Sequence, residues 1–254
     1  MKYVRKILLL AVCMLCGIYL FAQQAVTLHF NNIAGNKALL LNSEKYTNAA
    51  GEQLSISLLQ YFISNIQFST ADGKQYIVPQ DSSYFFIQQN DSTSHYCTVY
   101  VPAGDYTSIN FIVGIDSLRS TSKIDKRKGV LDPSATDMYW GWNSGYIFFK
   151  MEGTSSSAPE DAAGLHKFRY HIGGFGGYQS KTINNIKTIN LHFSKPVMFT
   201  GNKTTVEINA DILELFNGVG QVSITQHSAV MFDAFSTIIA DNYARMFSLA
   251  GIKN

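Results

Sequence analysis

The side chains best suited to chemistry are the two tryptophans and the six histidines of this 254-residue chain. Trp140 and Trp142 stand together in DMYWGWNSGYIFFKMEG, residues 137 to 153. Residues two apart on an extended backbone share a face, so the paired indoles bury about 400 Å² together. Packing accounts for that much. It does not account for Gly141 between them, or for Asn143, Ser144 and Gly145, which break the strand directly afterwards. An interrupted strand carrying large aromatics predicts a pocket wall near the surface rather than the middle of a core.

The histidines sort by strand parity. In VTLHF the apolar set is Val26, Leu28 and Phe30, leaving His29 on the polar face with Thr27. In TINLHF, Ile189, Leu191 and Phe193 place His192 on the polar face with Asn190. Both read most simply as solvent-facing strand residues. His95 and His166 adjoin polar loops and His227 ends a strand. FRYHIGGFGG differs, because Arg169 and His171 share a face just before a run of glycines. Glycine there permits a close approach of backbone, which would turn His171 toward a pocket.

Signatures of catalysis are missing: the chain has no GxSxG, HExxH, P-loop or CxxC motif, and HIGGFGG lacks the strand-to-helix setting of a dinucleotide fingerprint. With no nucleophile and base to pair, the expectation is that the protein is not an enzyme. Asp116, Asp125, Asp132 and Asp137 lead into the tryptophan block and form a weak candidate Ca²⁺ cluster, with turn-forming and capping as the simpler role of each.

Several elements must hold these groups. MKYVRKILLLAVCMLCGIYLFAQQ has a basic start and an apolar run from Ile7 that ends at small Ala22, before Gln23 and Gln24. That is the pattern of a signal peptide cleaved near Ala22 or Gln23, leaving an exported chain with no membrane span, periplasmic or secreted. The leader takes three of 20 basic residues and none of 18 acidic ones, so the remainder is near neutral. Nothing in a near-neutral chain points to a nucleic-acid or anionic-membrane partner, since both need clustered Lys and Arg, and none is expected. The one basic cluster, KIDKRK at 123 to 128, is interrupted by Asp125 and reads as a solvated loop. Beyond the leader only Cys97 remains, so no disulfide framework forms; it reads as a buried small hydrophobe, with a soft metal ligand as the alternative.

Short runs of period two recur from VTLHF and LSISLLQYFISNIQF through YCTVYVP, YTSINFIVGI, GYIFFKME and KFRYHI to TINLHF, TTVEINADI and QVSIT. Rich in Val, Ile, Thr, Tyr and Phe and separated by turns such as ADG, PAGD and GNK, they predict strands. The fold class expected is all-β, an antiparallel β-sandwich with a short C-terminal helix at DAFSTIIADNYARMF, where Phe235, Ile239, Tyr243, Met246 and Phe247 recur at spacings of three and four. DILELFNG predicts a turn or two of helix stopped by Gly218. GTSSSAPEDAAG, 153 to 164, reads as a flexible loop. With no internal repeat, residues 1–22 form the leader and 23–254 one domain.

GVLDPSATDMYWGWNSGYIFFKMEG, FRYHIGG and VPAGDYTSINFIVGIDS, in the order set by LQYFISNIQF upstream and IADNYARMF downstream, resemble the MbnP-like family of periplasmic copper-binding proteins, named for methanobactin operons. The resemblance covers about Val26 to Phe247. It implies a β-rich exported protein that binds copper through histidine imidazoles and a tryptophan oxidised to kynurenine by a di-haem, peroxidase-like partner, in company with copper-uptake machinery. An aryl amine and imidazoles suit copper, which stands at the top of the divalent affinity order. Residue by residue, the resemblance implies His171 as first ligand, His29 or His192 as second, and either Trp140 or Trp142 as the modified side chain. The alternative is a metal-free exported β-sandwich whose exposed aromatics bind a ligand or a protein partner.

Overall fold

A computed structural model describes residues 23–141, 145–200 and 203–254. Trp142 and the leader therefore lie outside the described residues. The strands are β1 (Gln23–Ala34), β2 (Lys37–Ala38), β3 (Tyr46–Thr47), β4 (Gln53–Thr70), β5 (Gln75–Ile77), β6 (Tyr84–Gln88), β7 (Tyr96–Pro102), β8 (Gly104–Val113), β9 (Tyr139–Trp140), β10 (Gly145–Thr154), β11 (Lys167–Gly173), β12 (Lys187–Phe199), β13 (Thr204–Asp211), β14 (Ala229–Val230) and β15 (Phe247–Lys253).

They form two sheets. The smaller runs β15-β13-β1-β2, with β7 also on β1; the larger runs β12-β8-β4-β10-β11-β14, with β3, β5, β6 and β9 attached. Most pairings are antiparallel, as the all-β sandwich reading requires. Among the described residues two are parallel, β1 with β13 and β11 with β14, so the sheets are mixed rather than purely antiparallel. A parallel neighbour needs a long connection, and β13 comes to β1 only after most of the chain.

The sandwich core lies where the period-two patterns point. Phe30 of β1 packs edge-on against Phe111 of β8 and Tyr61 of β4, and the buried Tyr61 hydroxyl donates to Asn32 Oδ1 at 2.7 Å, tying the two sheets together. Long β4 is the spine of the larger sheet. β10 pairs with its first half, residues 55–61, and β8 with its second, residues 63–70, along one edge; β6 and β5 take the other edge.

The amphipathic C-terminal pattern folds as a helix only over Ser236–Tyr243, with Ile239 and Tyr243 buried. Met246 and Phe247 lie beyond it, and Phe247 begins β15 as the edge partner of β13. The DILELF segment is a 3-10 turn, Ile212–Phe216, capped by the Asp211 side chain. GTSSSAPEDAAG is tied down at both ends: Ser155 Oγ donates to Gln53 O at the start of β4, and Asp161 Oδ1 accepts locally from the Ala163 and Leu165 amides.

Candidate functional site at the tryptophan block

The larger sheet has an outer face that a sandwich would ordinarily leave to water. Here residues 114–141 fold back over it. Phe62, Phe86, Ile115, Leu131, Met138, Trp140, Tyr146, Ile147, Phe148 and Phe175 form a second apolar cluster beneath them. This is why GYIFFKM reads as a continuous apolar run: β10 is covered on both faces.

Trp140 reaches this cluster through a hairpin. β9 pairs with β10 so that Trp140 faces Gly145 and Tyr139 faces Tyr146, and Gly145 adopts φ +82°, which a residue with a Cβ rarely takes. The indole is only 8% exposed, so it is core material rather than an exposed pocket wall. It packs edge-on against Phe232 at 6.1 Å. Its benzo edge rests on Gly173, where a Cβ would lie 2.8 Å from Trp140 Cζ3 and 2.4 Å from the Tyr146 carbonyl oxygen. The glycine after YHI therefore serves a close approach.

Arg127, from the supposedly solvated KIDKRK loop, is part of this structure. Its guanidinium donates to Tyr139 Oη at 2.9 Å and to the Ser120 and Ser122 carbonyls, and lies over the Tyr139 and Tyr146 rings. Tyr146 Oη donates to Leu131 O. Burial pushes the Tyr146 phenol up to about 12, against the opposing pull of Arg127.

His171 lies two residues before Gly173 on β11, on the same outer face as Trp140. Its Nε2 pairs with Glu152 Oε1 at 2.7 Å. Burial depresses the imidazole pKa, outweighing the bond to Glu152, so near pH 7 the ring is neutral. A ring with one nitrogen pinned by a carboxylate is oriented as metal-bound histidines usually are, with the other nitrogen left as donor. Lys150 sits opposite His171 in register and bonds Asp137. Lys150 and Glu152 were legible as the polar face of β10, alternating with Phe149 and Met151, but not as partners of His171.

The other two candidate ligands lie elsewhere. His192 is exposed on β12, where it pairs through Ser108 with Ser69 of β4. His171 pairs through Lys150 with Gln60 of β4. Nine residues of strand separate the two positions, roughly 25–30 Å. His29 is on the outer face of the smaller sheet, with Nδ1 on Glu207 Oε2 at 2.7 Å and its ring stacked on Tyr96 at 4.1 Å. Burial would raise the Glu207 carboxyl, but bonds from Lys253, Asn31 and His29 hold it at about 2. The expected convergence of His171 with His29 or His192 does not occur, because strand parity places a residue on a face without saying which sheet or which end.

Among the described residues no group of three or more His, Cys, Asp and Glu side chains is arranged to hold a metal ion. The aspartates expected to gather for Ca²⁺ act separately. Asp116 accepts from the Arg119 amide, Gln80 and Tyr84, Asp132 accepts from Ser134, and Asp137 pairs with Lys150. Cys97 is fully buried, and burial pushes its thiol well above the ordinary range, as befits a hydrophobe. Among the described residues the face that carries the Trp140 indole thus holds one oriented imidazole, not a closed set of metal ligands.

The family model described as MbnP matches residues 23–232. The chain belongs to the MbnP family. A solved structure of MbnP from Methylosinus trichosporium superposes with a TM-score of 0.54 at 14% identity, covering 84% of this chain and 82% of that one. At that identity the likeness concerns the fold, and it supports the β-sandwich of this MbnP-family chain. A search of curated proteins finds no match. The MbnP match begins at residue 23, where the leader pattern ends, and no helix among the described residues is long and apolar enough to cross a membrane.

Proposed function

We propose that this MbnP-family protein is exported and handles copper without being an enzyme, through the corner where Trp140 and His171 share one face of the larger sheet. The observation that carries the reading is the seating of the Trp140 indole on Gly173, two residues from the half-buried His171. His171 offers its free Nδ1 while Glu152 fixes the ring. The second nitrogen comes from Trp140 itself once a di-haem oxidase of the methanobactin-operon type converts the indole to kynurenine, whose aryl amine is a donor that indole lacks. Copper held there by the His171 imidazole and the aryl amine would supply a redox-active charge for which nitrogen donors are suited. The chain's own residues orient the imidazole, hold the indole still against Phe232 and Gly173, and keep water from the buried side. The leader directs export, which places the protein with copper-uptake machinery outside the cytoplasm.

The test is expression with and without the di-haem partner, followed by intact-mass measurement and copper titration. The expected result is an oxidative mass shift and tight copper binding that appear together and are both lost in Trp140→Phe, while His171→Ala keeps the mass shift and loses the copper. No mass change at either tryptophan, and no tight copper, sinks the reading. One observation favours a metal-free binding module instead: Tyr96 and Tyr100 are more than half exposed along β7, where flat aromatics are free to meet a partner. Copper-independent partner capture lost in Tyr96→Ala and Tyr100→Ala would support that second reading.

A further inference from the structure

The smaller sheet ends on β7, Tyr96–Pro102, which among the described strands pairs only with β1. Cys97, Val99 and Val101 are at most 1% exposed, backbone included, so their peptide groups face β1. On an antiparallel strand the N–H and C=O of one residue point to the same side, and successive residues point to opposite sides. The peptide groups of Tyr96, Thr98, Tyr100 and Pro102 therefore line the open edge. Tyr96 and Pro102 have no N–H to give there: the Tyr96 amide donates to Thr93 O, and proline has none. The Pro102 carbonyl is taken too, by the Tyr106 hydroxyl at 2.8 Å. What the edge offers is the complete N–H and C=O sets of Thr98 and Tyr100.

Natural sheet edges are blunted with lysine, proline or a bulge. The other long outermost strands follow that rule: β12 carries Lys187, Lys195 and Pro196, and β15 shifts register against β13 and ends in Lys253. By contrast β7 carries no charge, and its outward side chains, Tyr96, Thr98 and Tyr100, are exposed. Tyrosine, threonine and valine are also among the residues that favour strands. The edge complements itself. Laid antiparallel against a second copy with the two-fold axis at Val99, Thr98 of each copy faces Tyr100 of the other. Every free N–H of both edges then meets a carbonyl, and the residues without one, Tyr96 and Pro102, face each other. The same register sets a β-branched side chain against an aromatic one on each side of the axis, a favourable cross-strand pair, with no like charges opposed.

We infer that β7 joins two copies of this chain edge to edge, as a two-fold dimer whose smaller sheets run on across Thr98 and Tyr100. The inference is independent of the copper reading, since β7 belongs to the smaller sheet, whereas His171 and Trp140 stand on β11 and on β9, which pairs with β10 of the larger one. An edge of this length buries about 500 Å² on each copy, near the lower limit for a specific interface, so Kd is expected on the order of 10–100 µM. The experiment is sedimentation velocity on residues 23–254 from about 5 to about 500 µM, with amide hydrogen exchange read in parallel. The doubled mass should appear across that range, and exchange at the Thr98 and Tyr100 amides should slow with it. Thr98→Lys combined with Tyr100→Lys opposes like charges across the axis. Both side chains are exposed, and the bond between the Thr98 and Thr27 hydroxyls lies at the surface. This variant, and its counterpart Thr98→Glu with Tyr100→Glu, should each stay monomeric alone and pair when mixed. A parent chain that remains monomeric throughout overturns the inference. So does a dimer that survives in the lysine variant, or that forms without slowing exchange at Thr98 and Tyr100, because contact then runs through some other surface. Should either variant unfold, exchange in the parent chain still decides.

Discussion

Replacing Gly173 with alanine tests whether the Trp140 seat is as tight as its geometry indicates. The glycine has no left-handed φ to protect, so the cost of the new methyl is steric alone. Its Cβ would stand 2.4 Å from the Tyr146 carbonyl oxygen and 2.8 Å from Trp140 Cζ3. Ordinary contact begins near 3.4 Å, so the indole must retreat by about 0.6 Å and the β10 backbone by about 1 Å. The indole is pinned by Phe232 behind it, and the backbone by its pairing with β9, β11 and β4. Neither is the free end of a flexible side chain. Overpacking of this kind costs about 1–3 kcal/mol, and the clash with backbone sets the expectation at the upper end, about 3 kcal/mol. Urea unfolding gives the free energy, and a red shift of tryptophan emission reports the indole leaving its seat. Gly251→Ala in β15 is the control, because nothing lies within 4 Å of its Cβ position. A loss below about 0.5 kcal/mol with unshifted emission in Gly173→Ala would refute the tight-seat argument and remove the basis for calling the glycine a contact residue.

Glu52 is buried and accepts from Asn48, Ser223 and Thr225 side chains and from the Ile224 and Thr225 amides. Burial raises its carboxyl, but those bonds prevail and lower it from 4.5 to about 2. A depressed folded-state pKa gives stability that is complete above pH 4.5 and lost as pH falls toward 2, at most about 3 kcal/mol. Glu52→Gln should therefore lose about 2–3 kcal/mol at pH 7, and thermal melts should show the gap to the parent protein closing between pH 4.5 and 2. Arg127→Lys keeps the charge but not the fork that reaches Ser120, Ser122 and Tyr139; a loss of about 1–2 kcal/mol and faster proteolytic cutting within 114–138 are expected. His192→Ala, exposed and remote along β4, should leave copper binding by the oxidised protein unchanged in the titration that His171→Ala abolishes.

Much of the fold was legible because period two is a direct record of one face buried and one not. VTLHF, KFRYHI and TTVEINADI each fold with the expected alternation of buried and open positions. The parallel pairing of β1 with β13 was not legible, since parity is the same for either direction of a neighbour. β15 was missed because FSLAGIK is short and ends a helical pattern, and only its pairing with β13 decides its conformation. At the candidate site, the close approach permitted by the YHIGG glycines was legible, and so was the polar face of His171. The burial of Trp140 was not. It depends on residues 114–141 folding over the outer face, and the charge of KIDKRK hid the contact that Arg127 makes with the tyrosines beneath.

The contrast between His29 and His171 shows what that cover does. Both sit on outward positions of a strand, and both give one ring nitrogen to a glutamate at 2.7 Å. On the smaller sheet the neighbours of His29 are polar and aromatic: Glu207, shared with Asn31 and the exposed Lys253, and Tyr96, stacked on the ring. On the larger sheet the second apolar cluster reaches to Gly173, and His171 borders it closely enough for burial to lower its pKa. Gly173, two residues beyond His171, carries the Trp140 indole on the same face. The same residue type, the same parity and the same kind of carboxylate partner therefore meet different neighbours, and on the larger sheet those neighbours are set by residues 114–141, which fold over its outer face.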